Sequence, residues 1–414
     1  MAVETLDTAY STQRNFHHLV LNATWFGLAM ASTSRFLSVY AIHAGATPLH
    51  LGLISALPGI AALLTASLGS WWMRHYSTTV KAVFWPALGL RLTFLLLIAT
   101  PFLPREWQPI WIILSTTLPA LSEGISSVVF VVLMREAVKD NLITALASRR
   151  QVTLNITLGI SMLVFGFWLE NTTYPLNYQV MFGVGFIFAL MSLWHTMQVK
   201  VPPFVRPVAA PLQKGQSVWR APRFQMVAVA VLLTHIAYFS IVPVTPLWLY
   251  REFGAGEQFM AFFGLAELSA AALMALFTNR IIARIGSLNT IVLSMLGTAL
   301  AALILALTPS INLTLVAAMI TGASWTAAGV GLFGYFNENT PMAEMPRYTG
   351  AYTQMVYLAI FIGPLLGSGL ANAGVNLVAV LLGGAMVRLL AGVLIQLMMA
   401  WRGQKLKTAL SAKI

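Results

Sequence analysis

Twelve apolar runs, each roughly 20–27 residues long, fill most of this chain, and a helix needs about 20 such residues to cross ~30 Å of hydrocarbon. They fall at 17–40, 48–72, 82–103, 108–133, 150–170, 177–199, 224–250, 256–278, 288–308, 312–336, 350–371 and 375–401. The strands of a membrane barrel would be shorter and would alternate in polarity, so a barrel is excluded. Only 9% of the residues are charged, against about 25% in soluble domains, too few to cover a water-facing surface. The expected class is an all-α integral membrane protein. A net charge of +12 would suggest nucleic acid in a soluble chain. Here the bases sit beside the apolar runs, where they set topology, and no nucleic-acid partner is expected. Without cysteine there is no disulfide, thiol nucleophile or Cys-based metal site.

Between the sixth and seventh runs lies a connector, residues 200–223, with Lys200, Arg206, Lys214, Arg220, Arg223 and five prolines but no acid. Such a stretch reads as a cytoplasmic surface loop. It divides the chain into an N-terminal bundle (1–199) and a C-terminal bundle with a basic tail (224–414). With both termini inside, 19 of the 24 Lys and Arg residues fall in cytoplasmic segments and two in external loops. That asymmetry predicts a multi-pass protein of the cytoplasmic membrane with both termini in the cytoplasm. Glu4 and Asp7 precede the first base, Arg14, which is unlike a signal peptide, so the first run is expected to remain as a helix.

The two halves repeat. The second run enters through His50-Leu51-Gly52-Leu53 and the eighth through Phe262-Phe263-Gly264-Leu265. The turn after the second run, with Gly69, Met73, Arg74 and Tyr76, aligns at an offset of 210 with the turn holding Asn279, Ala283, Arg284 and Gly286. Six helices, a linker and six similar helices is a transporter layout with its site at mid-membrane. Over its whole length the chain resembles the major facilitator superfamily. Its loop signature, G-x-x-x-D-R-x-G-R-R, survives as Gly69 and Arg74 in the first copy and as Arg284 and Gly286 in the second. Met73 and Ala283 replace the acid, and Tyr76 replaces the second glycine of the first copy. In the eleventh run, Gly363-Pro364 with Gly367 resembles the family's GPxxG stretch, whereas the fifth run lacks the proline of an antiporter signature. No subfamily follows from these motifs.

The resemblance implies that the first, fourth, seventh and tenth helices line a central cavity, and that their polar residues contact the solute. These are Asn22, Trp25 and Thr33; Ser126 and Ser127, on a face with Thr116 and Glu123; His235, Tyr238 and Thr245; and Thr321, Ser324, Trp325 and Tyr335. The eleventh helix adds Tyr352, Thr353, Gln354 and Tyr357 near its cytoplasmic end. Aromatic rings mixed with hydroxyls suit an amphipathic solute. The simpler role for each hydroxyl is a bond between helices.

Charges inside the runs are costly, about 2.5–3.5 kcal/mol each on insertion scales. Glu123 lies 12 residues before Arg135, and Arg91 lies 10 after Lys81, which puts both about 15–18 Å from the cytoplasmic helix ends. A static Glu123–Arg91 pair is therefore one expectation, with Arg91 structural. Glu267 and Arg388 share a second level, about 20 Å deep, and Arg388 is also expected to be structural. The alternative is that Glu123 or Glu267 exchanges a proton.

No phosphate loop, zinc-binding helix or nucleophile elbow occurs, so no enzyme, cofactor or metal site is expected. The functional expectation is secondary active transport of a small amphipathic organic solute by a monomer in the lipid bilayer, as proton-coupled export. Proton-linked uptake of an organic or anionic solute is the alternative. A lipid-binding or interaction scaffold that keeps the fold without transport is a third.

Overall fold

A computed structural model describes residues 2–201, 217–341 and 344–411. Every regular element among them is helical: fifteen α-helices and two 3-10 turns. Among the described residues, eleven segments are long and apolar enough to cross a membrane. The run expected at 17–40 is carried by α1 (Ala2–Ser34) and α2 (Phe36–His43), which abut at Arg35. Large apolar side chains such as Leu64, Val164, Leu276 and Leu303 stay exposed on these helices. Helices that are apolar on their outer faces as well belong in lipid.

The chain divides into two compact units. The first, Met1–Leu212 with Ala255–Ala261, holds α1, α2, α3 (Pro48–Ala66), the short α4 (Gly69–Met73), α5 (Thr79–Ile98), α6 (Gln108–Ala137), α7 (Asp140–Glu170) and α8 (Leu176–Met197). Local chemistry places the helix starts. Thr47 accepts from the His50 N–H at 3.4 Å while its own N–H donates to His50 Nδ1 at 3.1 Å, a reciprocal cap ahead of Pro48. Thr78 likewise caps α5 by accepting from Lys81 N–H. In this unit α1 packs on α7 and α8, α3 on α6, and α5 on α6 and α8.

The second unit, Gln213–Gly254 with Phe262–Ile414, holds α9 (Pro222–Phe239), α10 (Val244–Phe253), most of α11 (Glu257–Ile285), α12 (Ser287–Leu307), α13 (Ile311–Glu338), α14 (Met345–Asn372) and α15 (Leu377–Ser411). Here α9 packs on α14 and α15, and α12 on α13 and α15. This is the scheme of the first unit at corresponding positions.

Side chains repeat as well. Thr79, opening α5, donates to Glu136 at the end of α6. Ser287, opening α12, donates to Glu338 at the end of α13 at 2.5 Å. Gly89 on α5 faces Ser122 on α6, as Gly297 on α12 faces Ser324 on α13. Gly124 packs on Ala62 and Thr65 of α3, and Gly322 on the Glu267 backbone of α11. In each case a Cβ would collide with the facing helix, which is how small residues let membrane helices approach.

Two expectations change, and two further points concern positions singled out in the sequence. The fifth run begins ten residues early, at Asp140, so Arg149 and Arg150 lie in a helix and not in a loop. The turn expected after the eighth run shrinks to Gly286, because α11 continues through Arg280 and Arg284 to Ile285. At φ +84° Gly286 holds a conformation that side chains resist. Met73 is buried in an apolar cluster with Val83, Val129 and Leu133, so the position where the family signature has an acid is part of a core. Most of the connector expected at 200–223 falls on 202–216, outside the described residues; its end forms the turn Val218–Arg220 and Pro222 opens α9.

Candidate functional site

The expected Arg91–Glu123 pair is replaced by a different arrangement. Arg91 is buried, and its Nε donates to the Ala189 carbonyl at 2.6 Å, Nη1 to the Ala87 carbonyl at 2.5 Å and Nη2 to Ser192 Oγ at 3.1 Å. The Phe26 ring lies 5.8 Å from the guanidinium carbon. Glu123 is exposed, while its neighbours Ser122 and Gly124 pack on α5 and α3. Four residues of α6 at spacings of 4, 3 and 4, Glu123, Ser127, Phe130 and Met134, fall on one side of the helix, since such spacings share a helical face.

The same three-helix junction holds an arginine in the second unit, supplied by a different helix. Arg388 comes from the last helix, α15, whereas Arg91 comes from α5, the third span. Arg388 donates from Nη2 to the Tyr238 carbonyl at 2.7 Å, from Nη1 to the Thr298 carbonyl at 2.9 Å and from Nε to the Ala237 carbonyl at 3.3 Å. Its guanidinium carbon also lies 5.2 Å from the Tyr238 ring centroid. Carbonyl dipoles and a ring face compensate part of the desolvation of each cation.

Tyr238 links this arginine to an aromatic cluster. Its ring stacks on Trp325 with centroids 3.7 Å apart, and its hydroxyl donates to Glu267 Oε1 at 3.4 Å. His235 meets Trp325 edge-on at 5.2 Å, and Phe239 does so at 5.5 Å. His235 Nδ1 lies 2.9 Å from the Val231 carbonyl. A carbonyl can only accept, so Nδ1 is the donor nitrogen of this contact. Glu267 is close enough to Arg388 to interact electrostatically. Aromatic surface, a titratable carboxylate and a buried cation thus converge on α9, α11, α13 and α15.

Other candidates are more dispersed. Asn22 is buried, and its amide donates to Ser192 Oγ at 2.8 Å and Thr196 Oγ1 at 2.9 Å. Its oxygen accepts from Arg150 Nη1 at 3.0 Å. Trp25 lies against Phe188, 5.7 Å between centroids. Thr33 and Ser127 bond to carbonyls on their own helices, Thr245 bonds to the Ile241 carbonyl in the turn before α10, and Thr116 bonds to Ile112 and Ile113. Ser126 is buried; Thr321, Ser324 and Tyr357 are half-buried. Gly69 opens α4, Arg74 follows its last residue and Arg284 precedes Gly286, with both arginines exposed.

Two residues escaped the sequence reading. Arg150 counts there as a cytoplasmic base but sits within α7 against α1. Glu257, at the start of α11, is buried in the first unit, where the Tyr178 hydroxyl donates to it at 2.9 Å and His43 lies at 3.6 Å. A signal for the first was available: Asp140 and Asn141 are good helix starters, which moves the helix start upstream of Arg150.

The sequence profile described as Major Facilitator Superfamily matches residues 20–364. The chain belongs to that superfamily. Solved structures agree on the fold. Nucleoside transporter NupG gives a TM-score of 0.70 at 12% identity, covering 94% of this chain and 98% of that one. A D-xylose-proton symporter gives 0.72 at 14% identity, covering 93% and 97%. An inward-facing bacterial homologue of the iron transporter ferroportin gives 0.72 at 13% identity, covering 92% and 98%. No curated protein matches. As a Major Facilitator Superfamily member the chain is an all-α multi-pass membrane protein. At these identities the structural likeness carries the fold alone.

Proposed function

We propose that this protein is a secondary active transporter of a small amphipathic organic solute, working by alternating access and coupled to protons through Glu267. The observation that carries the proposal is the Tyr238–Trp325 stack, bound at one end to Glu267 and at the other to Arg388. Stacked rings offer a flat apolar surface, and a few convergent polar groups orient what lies on it. Protonating Glu267 changes what the Tyr238 hydroxyl can donate to, so one proton alters the presentation of the aromatic surface. A ligand shifts such a protein only by preferring one of its states, and the same holds for a proton. The family and the D-xylose-proton symporter's fold are consistent with this reading. The bases on one side of the sequence support a cytoplasmic location for both termini, even with Arg149 and Arg150 withdrawn.

The test is flux in proteoliposomes with an imposed pH gradient, using solutes chosen by thermal stabilisation of the detergent-solubilised protein. Wild type should concentrate a stabilising solute only with the gradient. Glu267→Gln, which keeps the size but fixes the side chain neutral, should retain exchange and lose uphill transport. Equal accumulation with and without the gradient would remove the coupling. No protein-dependent flux of any stabilising solute would favour a scaffold without transport.

A further inference from the structure

The first unit carries two arginines in one polar network. Arg150 Nη1 donates to the Leu19 carbonyl at 2.9 Å and to Asn22 Oδ1 at 3.0 Å. Asn22 donates in turn to Ser192 Oγ, which also accepts from Arg91 Nη2. Two guanidinium groups are thus joined through Asn22 and Ser192, and none of these contacts involves a carboxylate. They differ in one respect. Arg91 has all three nitrogens hydrogen-bonded, whereas Arg150 spends only Nη1 on protein acceptors among the described residues. Its guanidinium lies over the Phe130 ring, 4.6 Å to the centroid, and Arg150 is partly exposed.

We infer that Arg150 is an anion-recognition residue, which takes the carboxylate of a small solute whose apolar body lies along the Phe130 face of α6. The remaining Nε–H and Nη2–H are the edge of a guanidinium that fits a carboxylate with two parallel hydrogen bonds. Asn22 and the Leu19 carbonyl hold Nη1, and the Phe130 face supports the plane, so the fork is oriented before any anion arrives. Preorganisation of this kind lowers the entropy lost on binding. Arg91 adds a second positive charge in the same network. The nearest acid on the α6 face, Glu123, is seven residues, about two helical turns, from Phe130 and is exposed. The inference rests on the transport reading for its physiological use, but its test is one of binding alone.

The probes are benzoate and its neutral isostere benzamide, titrated onto the full chain in detergent with tryptophan fluorescence as the readout. Benzoate should bind saturably and benzamide should bind at least about tenfold more weakly, the value of one charge-assisted hydrogen bond. Arg150→Gln should weaken benzoate by a similar factor, whereas Arg149→Gln, at the exposed neighbouring residue, should leave it unchanged. If Arg150→Gln does not fold, wild type still decides: benzoate should slow phenylglyoxal modification of Arg150 but not of Arg149, read by peptide mass. Equal binding of the two probes, equal loss in the Arg149 variant, or absence of protection would overturn the inference. So would a benzoate response that disappears in phosphatidylglycerol nanodiscs and persists in phosphatidylcholine ones, since Arg150 would then hold an anionic lipid headgroup. Saturable benzoate binding together with absent flux would sink the transport reading and leave the anion site standing.

Discussion

The phenol ring of Tyr238 lies on the indole of Trp325 with the planes 13° apart and centroids 3.7 Å apart. Such pairs are worth about 0.5–1.5 kcal/mol beyond the area they bury. Trp325 is half-buried, so Trp325→Ala should cost about 2 kcal/mol of stability and weaken solute binding several-fold. Tyr238→Phe keeps the stack and removes only the hydroxyl that reaches Glu267. Binding should survive this change while gradient-driven accumulation falls. Isothermal titration beside proteoliposome flux separates the two effects, and parallel losses in both variants would contradict the division of labour.

Glu123→Gln should be well tolerated. Removing one partner of a buried ion pair costs about 3–5 kcal/mol, but Arg91 is satisfied by two carbonyls and Ser192. The melting temperature should therefore stay within about 2 °C of wild type, where a lost pair would lower it by about 6 °C or more. Thermal unfolding in detergent makes the measurement.

Met73→Asp should destabilise the first unit. The signature of the family calls for an acid at this position, yet Met73 is 8% exposed and belongs to the apolar cluster that holds Val83, Val129 and Leu133. An unpaired carboxylate there pays a desolvation cost of several kcal/mol. Met73→Leu keeps the volume and should cost less than about 1.5 kcal/mol. An aspartate variant as stable as the leucine variant would mean that the helix end opens to water.

Gly286→Ala should lower stability by about 1–3 kcal/mol, because φ +84° with ψ 162° is open essentially to glycine alone. No atom lies near enough to clash with the added methyl, so the effect isolates the backbone. Gly350→Ala, at a helical site that is also open, is the control and should be neutral or slightly stabilising. Paired melting curves of the two variants give the comparison.

The class and the span positions follow from the chain alone, since length and apolarity are one-dimensional quantities that a bilayer reads directly. Most helix ends lie within a few residues of the expected ones; α7 departs because its first apolar residues, Leu142, Ile143 and Leu146, are cut off from the long apolar run by Ser148, Arg149 and Arg150. What a helix touches was not legible. Depth along two helices placed Glu123 level with Arg91, but depth says nothing of azimuth, and Arg91 turns towards Ala189 and Ser192. The sequence repeat likewise aligned the short turns and overlooked the equivalence of Thr79–Glu136 with Ser287–Glu338, because hydroxyl and carboxylate come from helix ends some 50 residues apart. Arg150 and Glu257 were hidden for the same reason: a charged residue near a helix end looks like surface until a neighbouring helix covers it. Side-chain partnership is a property of packed surfaces, and only the tertiary structure chooses among the partners that one dimension leaves equivalent.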